Sequence, residues 1–501
     1  MDKHDFYQDY TTASSFASDY LSKCREWRDY YNGEMWTHVG TTDDCASMPE
    51  INYIKPNVQQ LLAMLQLQHP SILVNPTKKT GTHTAEVLTR ALKSIYEMKD
   101  VAEDVKQATL DMLVYSRGYQ GIYWDKQDEG GRGNIGSYTI SPFNLYADPL
   151  AHTLDEASYV HVKHLRSPYY VYTKYGVELK ADAKDEFTNA EGVEVVESWY
   201  NPDATIPNGR HVIWSTADQK HPFVDEDLPY PFKCIPIVDY VVDDTTTGER
   251  YSMVSDMWGI QKMFMKSWGY LLDNLMLTQN CQYKSVDGDQ PKTIRNNPGA
   301  VHHVMDLNDL VPLQTPQLNT MWLSVPNTLQ AMFPDISGVR QVNYGATQGG
   351  VTAASAIVAL QEAGKTIKEL KQDGVQRAVS LWGLMAVELM RWYTEAHWKD
   401  IVGEEPDPTA MDSPYDVAVS YSEALPNDKG TRMNIAKVLV DSKILDAQGF
   451  AAIIGDPVLM SEIEASQQRM AAQQPVPQAQ QPPQAEQPMG QPTDVQAALG
   501  G

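Results

Sequence analysis

A chain of 501 residues that is 42% hydrophobic and 21% charged is ordinary for a globular protein and long enough for about three domains. Its 40 basic against 65 acidic side chains leave a formal charge of −25, which excludes a broad phosphate-gripping surface but permits contact with DNA that slides past. The four cysteines, Cys24, Cys45, Cys234 and Cys281, lack CxxC spacing, so neither a disulfide framework nor a zinc site is expected and a reducing cytosol suits them.

The first residues, Met1-Asp2-Lys3-His4-Asp5-Phe6-Tyr7, hold no apolar core of a secretion signal, and no run of eighteen apolar residues exists, so no membrane span is expected. The 27 tyrosines and 11 tryptophans outnumber 9 phenylalanines, which suits interfaces where one ring edge stays wet, or is sequence bias.

Residues 11–36 read as a helix carrying aromatics, with Gly33 as its C-cap. Val58, Leu61, Leu62 and Leu65 recur at helical spacing over 57–69. Pro70 ends that helix, and Ile72-Leu73-Val74 begins an extended segment. Two amphipathic helices follow, over 84–98 and 101–115. From Gly118 the period changes to two. Strands are predicted at 121–125 and 137–140, joined by a glycine-rich turn, and again at 158–165, 193–200 and 211–215. Residues 229–236 are proline-punctuated and extended.

Helix returns over 253–280, where Met257, Ile260, Phe264, Trp268, Leu271 and Leu275 line a stripe. Turns and short strands occupy 281–320, and a shorter, proline-interrupted helix starts near Met321. Then come a loop containing Gly345, Gly349 and Gly350 and an apolar-periodic helix from Val351 to Trp398. At ~1.5 Å per residue that helix would be roughly 70 Å long, a stiff rod that must belong to something large. A Pro/Asp-rich link, a strand at 415–421 and helices over 429–470 follow. Pro475, Pro477, Pro482, Pro483, Pro488 and Pro492 forbid a helix in the Gln/Pro-rich tail, which is expected to be disordered. The fold class is α+β.

The motifs that point to enzymes fail on context. Gly131-Arg132-Gly133-Asn134-Ile135-Gly136 spells GxGxxG, but a strand follows where a dinucleotide site needs a helix, so a hairpin loop is expected. Gly364-Lys365-Thr366 ends like a phosphate-binding loop, but Ala359 stands at the first glycine and the segment lies inside a helical pattern. His302-His303, and likewise His161 and His164, point to opposite faces of their strands and cannot share a metal. The acidic runs Asp225-Glu226-Asp227 and Asp243-Asp244 read as solvated loops. No catalytic residue, metal or cofactor is expected.

Two features carry binding chemistry. Lys262 and Lys266, four apart, share one face of the 253–280 helix, either as a plain wet face or as a sequence-blind attractor for passing DNA. The glycine loop frees the backbone, and Asn343, Thr347 and Gln348 offer uncharged hydrogen-bonding groups that can brush phosphates without gripping them.

The order helix, small β excursion, helix, glycine loop, rod resembles the portal protein of tailed double-stranded DNA bacteriophages, of the short-tailed kind. Residues 51–58 running on to His69-Pro70-Ser71-Ile72 resemble the helix-to-strand approach of the wing. Gly121-Ile122-Tyr123-Trp124-Asp125 and residues 140–149 resemble its central sheet. The helix after Tyr251, with Gln261 and Asn274, is similar to the first stem helix, and Ile336-Ser337-Gly338-Val339 to the approach to the tunnel loop. The resemblance covers about residues 20–460 and rests on the order of elements, since no single motif is specific.

The resemblance implies a wing at 1–250, a first stem helix at 251–280, a clip at 281–320 and a second stem helix at 321–338. It implies a tunnel loop at 339–351, a long radial helix and wing strand at 352–430, crown helices at 431–470 and the tail at 471–501. Asn343, Tyr344, Gly345, Thr347, Gln348, Gly349 and Gly350 would face DNA, with Lys262, Lys266 and Arg340 as candidate channel-lining residues. The family implies a homododecameric ring at one capsid vertex, assembled in the host cytoplasm, through which DNA is packaged and later ejected. Its partners are further copies of itself, the terminase large subunit, tail adaptor or connector proteins, the major capsid protein, scaffold and passing double-stranded DNA, with no membrane. Twelve chains of −25 would carry a formal −300, which suits a conduit. The rivals are another structural virion protein, of the tail or the interior, and a cytosolic enzyme with an unrecognised site.

Overall fold

In a computed structural model the chain divides into two units, Met1–Tyr421 and Ser422–Gly501. The structure describes residues 5–39, 47–66, 71–77, 81–241 apart from 187 and 233, 252–279, 283–285, 310–312, 320–338, 365–404, 406–407, 411, 415–420 and 437. The expected tunnel loop and crown, the tail, most of the clip, His302-His303 and Asp243-Asp244 lie outside them.

The first helix, α1 (Phe6–Asn32), starts at Asp5, whose carboxylate accepts from the N–H groups of Tyr7 (3.1 Å) and Gln8 (3.4 Å). It stops at Gly33, which takes a φ of 98° and donates its N–H to the Asp29 carbonyl. Short α2 (Trp36–Val39) and α3 (Ile54–Gln66) follow, then β1 (Ser71–Pro76), α4 (Thr82–Met98) and α5 (Val101–Tyr115). Strands then take over as expected. β2 (Arg117–Asp125) pairs antiparallel with β3 (Asn134–Ile140), and β10 (Ile237–Val241) lies on the other side of β2. The GxGxxG segment runs from the end of the single turn α6 (Asp128–Gly131), which lies between β2 and β3, into the first residues of β3, with φ of 95° at Gly131 and 88° at Gly133. It is a hairpin connection.

A second antiparallel sheet runs in the order β4 (Leu145–Ala147), β5 (Tyr159–Arg166), β7 (Glu191–Tyr200), β8 (Arg210–Ser215), β9 (Val224–Glu226). The two-residue β6 (Ala183–Lys184) pairs onto β7, and α7 (Pro168–Tyr175) follows β5. The acidic run expected as a solvated loop is in part this edge strand. The run stays exposed, and Arg210, on the neighbouring strand and diagonal to Asp225, forks onto both its oxygens at 2.8 and 3.0 Å.

Two long helices complete the body: α8 (Met253–Gln279) and α9 (Val325–Ser337), linked through the short pair β11 (Tyr283–Ser285) and β12 (Leu310–Pro312). Then α10 (Lys365–Leu389) buries Val375, Ala378, Val379, Trp382 and Ala386 at helical spacing, with β13 (Tyr415–Ser420) paired to β1 beside it. The rod expected to run on to Trp398 ends at Leu389. Met390–Trp392 tighten into a 3-10 turn, Tyr393 is extended, and α11 (Glu395–Ile401) restarts from Thr394. The stop has a cause outside the helix. The Thr394 N–H donates to His397 Nδ1 (3.0 Å), while His397 Nε2 meets the Gly133 carbonyl (2.9 Å) and stacks on Tyr393. Tyr393 in turn donates its hydroxyl to Asn134, so the β2–β3 connection holds the break in place.

Packing is closest where α5 crosses β2. A Cβ added at Gly118 would sit 1.9 Å from the Ala108 carbonyl oxygen, so only glycine lets the strand lie there. The second sheet centres on fully buried His161. Its Nδ1 contacts Ser198 Oγ at 2.7 Å, and Tyr10, Tyr159 and Tyr200 surround the ring. His164 leans instead towards Glu197, 3.6 Å away on the opposite face, so the two histidines do not converge.

Two predictions follow from these contacts. Gly118→Ala forces the strand off its helix and should cost about 3 kcal/mol, read as a lower denaturation midpoint. Burial lowers the His161 pKa from 6.5 to about 3, so its neutral form is favoured in the fold. The stability it supports is whole above pH 6.5 and drains away as pH falls towards 3. His161→Phe leaves Ser198 Oγ still accepting from Trp214 Nε1 at 2.9 Å. The variant should flatten the acid limb of a stability–pH profile by on the order of 3 kcal/mol near pH 4.

Candidate functional site

Of the residues expected to line a channel, Lys262 and Lys266 lie on α8. Arg340, Asn343, Tyr344, Gly345, Thr347, Gln348, Gly349 and Gly350 lie outside the described residues. The site that can be built is therefore the α8–α9 pair.

At the start of α8 the Ser255 N–H donates to Ser252 Oγ (2.9 Å), and Asp256 places a negative charge in the first turn. Met257, Phe264 and Met265 are buried in the main core. Gln261 is also fully buried, yet satisfied: its carbonyl accepts from the Tyr53 N–H (3.2 Å) and its amide donates to the Ile51 carbonyl. Further along, Asp273 accepts from the Ser47 N–H at 2.8 Å. These two polar side chains fasten α8 to the segment leading into α3. Phe264 meets the Tyr53 ring edge-on at 5.1 Å, and Tyr53 leans on Phe333 of α9 at 5.3 Å, so aromatic packing ties the two long helices together.

The outward side differs from the expected wet face. Lys262 Nζ sits 5.7 Å over the Trp258 ring, and both lysines are half-buried. Around them large apolar side chains stand in the open. On α8 these are Met263 (53% exposed), Tyr270, Leu275 and Met276 (57% exposed). Met332 and Ile336 do the same on α9, with Trp322 and Leu323 just before it. The apolar stripe expected on α8 is thus split. Met257 and Phe264 serve the subunit's own core, while Leu275 faces outward with the methionines.

Among the concavities that sequence reasoning missed is a cleft of about 1170 Å³ walled by Tyr123, Trp124, Tyr170, Tyr230 and Trp392. His211 lines it, stacked on Trp199 at 3.8 Å, with Nε2 2.9 Å from Glu197 and Nδ1 3.4 Å from Glu226. Burial pushes the Glu197 carboxyl up, but hydrogen bonds from His164 and His211 outweigh it and hold the group at about 2. Its walls come from separate segments, so no local motif announces it. Among the described residues no cluster of histidine, cysteine, aspartate or glutamate is placed to hold a metal ion. Among the same residues no helix is long and apolar enough to cross a membrane.

Compared with known proteins, the chain matches the model of the phage P22-like portal protein family over residues 7–434. No curated protein matches it. That span takes in the helix pair with its ribbon, both sheets, α10 and the β1–β13 ribbon, and the chain therefore belongs to the phage P22-like portal protein family.

Proposed function

We propose that this portal subunit closes into a ring at a unique capsid vertex, through whose hole the genome is packaged and later ejected. The observation that carries the reading is the exposed apolar face of α8 and α9. Side chains such as Met263, Leu275, Met276 and Met332 destabilise a solitary subunit in water, and neighbouring copies that cover them remove that cost. A heterologous contact of this kind, repeated around an axis, closes into a ring.

In this reading α8 and α9 are the two stem helices, and 281–320, which includes β11 and β12, is the clip. The clip docks the terminase large subunit and then tail adaptor proteins, while the 1–250 wing meets the major capsid protein and scaffold. Residues 339–351 form the tunnel loop and 431–470 the crown. The radial helix within 352–430 is shorter than a rod to Trp398 would be, since it turns at Met390. Lys262 and Lys266 supply a weak, salt-screened pull on passing phosphates, and the overall −25 per subunit keeps DNA from sticking. A ring usually has twelve subunits in this family, and the virion vertex is its place of work.

Electron microscopy of the purified full chain should show rings with a central hole. Uniform particles of one or two subunits at high concentration would remove the proposal. Met263→Glu combined with Met276→Glu puts two carboxylates on the contact face and should cost about 2–4 kcal/mol per interface, shifting rings to monomers in sedimentation without loss of helical circular dichroism. Deleting residues 343–350 should leave the rings whole and lower DNA packaging or retention. If rings vanish instead, that segment is an assembly element and its tunnel role is wrong.

A further inference from the structure

α5 carries a carboxylate where its pattern calls for an apolar side chain. Asp111 is only 7% exposed, among the buried Val105, Ala108, Met112 and Val114 of the same helix. Its Oδ1 accepts from Gln107 Nε2 at 3.0 Å, one turn earlier, and among the described residues it forms no ion pair. A buried carboxylate with a neutral amide as its sole partner is costly, and natural folds rarely keep one without a use.

Asp111 does not face packed protein. It lines a cleft of about 540 Å³ whose other surfaces include Leu110, Val114 and the rings of Tyr31, Tyr115 and Phe143. Asn32 and Asn144 add neutral polar groups to the lining. One cation belongs to the lining, Arg28 of α1, and its Nε and Nη2 are both turned onto Asp29 Oδ1 at 3.1 and 3.0 Å. Among the described residues the lining holds no other charged group; its remaining titratable members are Tyr31 and Tyr115. The cleft therefore combines apolar and aromatic walls, a few neutral polar groups, a guanidinium engaged by Asp29 and one carboxyl that forms no ion pair among the described residues.

We infer that this cleft receives a primary ammonium group carried on an alkyl chain, with Asp111 as its counter-charge. Gln107 already engages Oδ1, which leaves Oδ2 the readier acceptor for a ligand. One oxygen suits the point charge of an ammonium and not the two-pronged guanidinium fork. Leu110, Val114 and Phe143 sheathe the methylenes, and the tyrosine faces attract the cation. Tyr31 already meets an ammonium group, since Lys55 Nζ lies 5.6 Å over its ring. The group can belong to a lysine side chain of a second protein or to a free alkyl diamine. The chemistry is shared, and the test separates the two.

Burial raises the Asp111 carboxyl from 3.8 to about 7, so the empty cleft holds a neutral acid below that pH. Ammonium binding must ionise it. Affinity should then climb about tenfold per pH unit up to 7 and level off above, while the amine itself stays charged.

The experiment is isothermal titration of the purified full chain with Nα-acetyl-lysine methylamide and, separately, with 1,4-diaminobutane, at pH 5.5 and pH 8.5. One site per chain is expected, at least about tenfold tighter at pH 8.5, and abolished in Asp111→Asn. Binding of the capped lysine alone assigns the cleft to a protein side chain, and binding of the diamine alone to a free diamine. If both bind, the tighter one names the source. Binding of neither, binding that survives Asp111→Asn, or binding indifferent to pH overturns the inference. Thermal melts check the variant's fold: Asp111→Asn should melt higher than the wild type at pH 8.5, by less at pH 5.5, and level with it only below pH 3.8, where the carboxyl is protonated in both states. Should the variant fail to fold, the pH dependence of wild-type binding decides.

Discussion

α5 is the element on which the whole body leans, and a missing side chain makes this possible. Gly118 lets β2 lie against the Ala108 carbonyl, so helix and sheet meet at backbone distance. From there α5 reaches α1, α3, α4, α8, α10, β3 and β10 as well. Of the two long helices on the expected channel side, α8 touches this 15-residue segment and α9 packs on α8. Close packing of this kind leaves little room for local adjustment, because interiors at crystal-like density pass displacement on to their neighbours.

Much of the fold was legible in the sequence because its elements follow simple periods. The stripes of α3, α4 and α5 and the strands β2, β3, β5, β7 and β8 all occur within a few residues of where spacing puts them. The misses have specific causes. β10, Ile237-Val238-Asp239-Tyr240-Val241, is buried along its whole length, so it shows no alternation to read. The halt at Leu389 is invisible to periodicity because apolar residues continue past it. Its signal is Thr394 with His397 three residues on, a capping pair that departs from the usual glutamate or glutamine. Asp225 belongs to a strand because of Arg210, a partner fifteen residues away in sequence.

The candidate site was legible in kind but not in detail. Helical spacing placed Lys262 and Lys266 on one face, and the proline-rich interval between two helices marked a β excursion. Sequence alone could not say which part of the α8 stripe stays inside. Phe264 and Leu275 have the same chemistry, and only the position of Tyr53 and Phe333 decides that one is buried and the other open. The same holds for Asp111, whose helix gives no hint that a cavity lies beside it. Cavities and contact faces are properties of what several distant segments leave uncovered, so a window sliding along one chain does not register them.

The fastening at the end of α10 has a mechanical meaning. His397 and Tyr393 clip that helix terminus to Gly133 and Asn134, at the tip of the β2–β3 hairpin, through one backbone carbonyl and one amide. A lever held at its end by directional bonds cannot swivel without dragging its anchor. Any torque applied along α10 is thereby delivered to a sheet whose middle strand is seated on α5, and the load spreads into the subunit instead of bending a free arm.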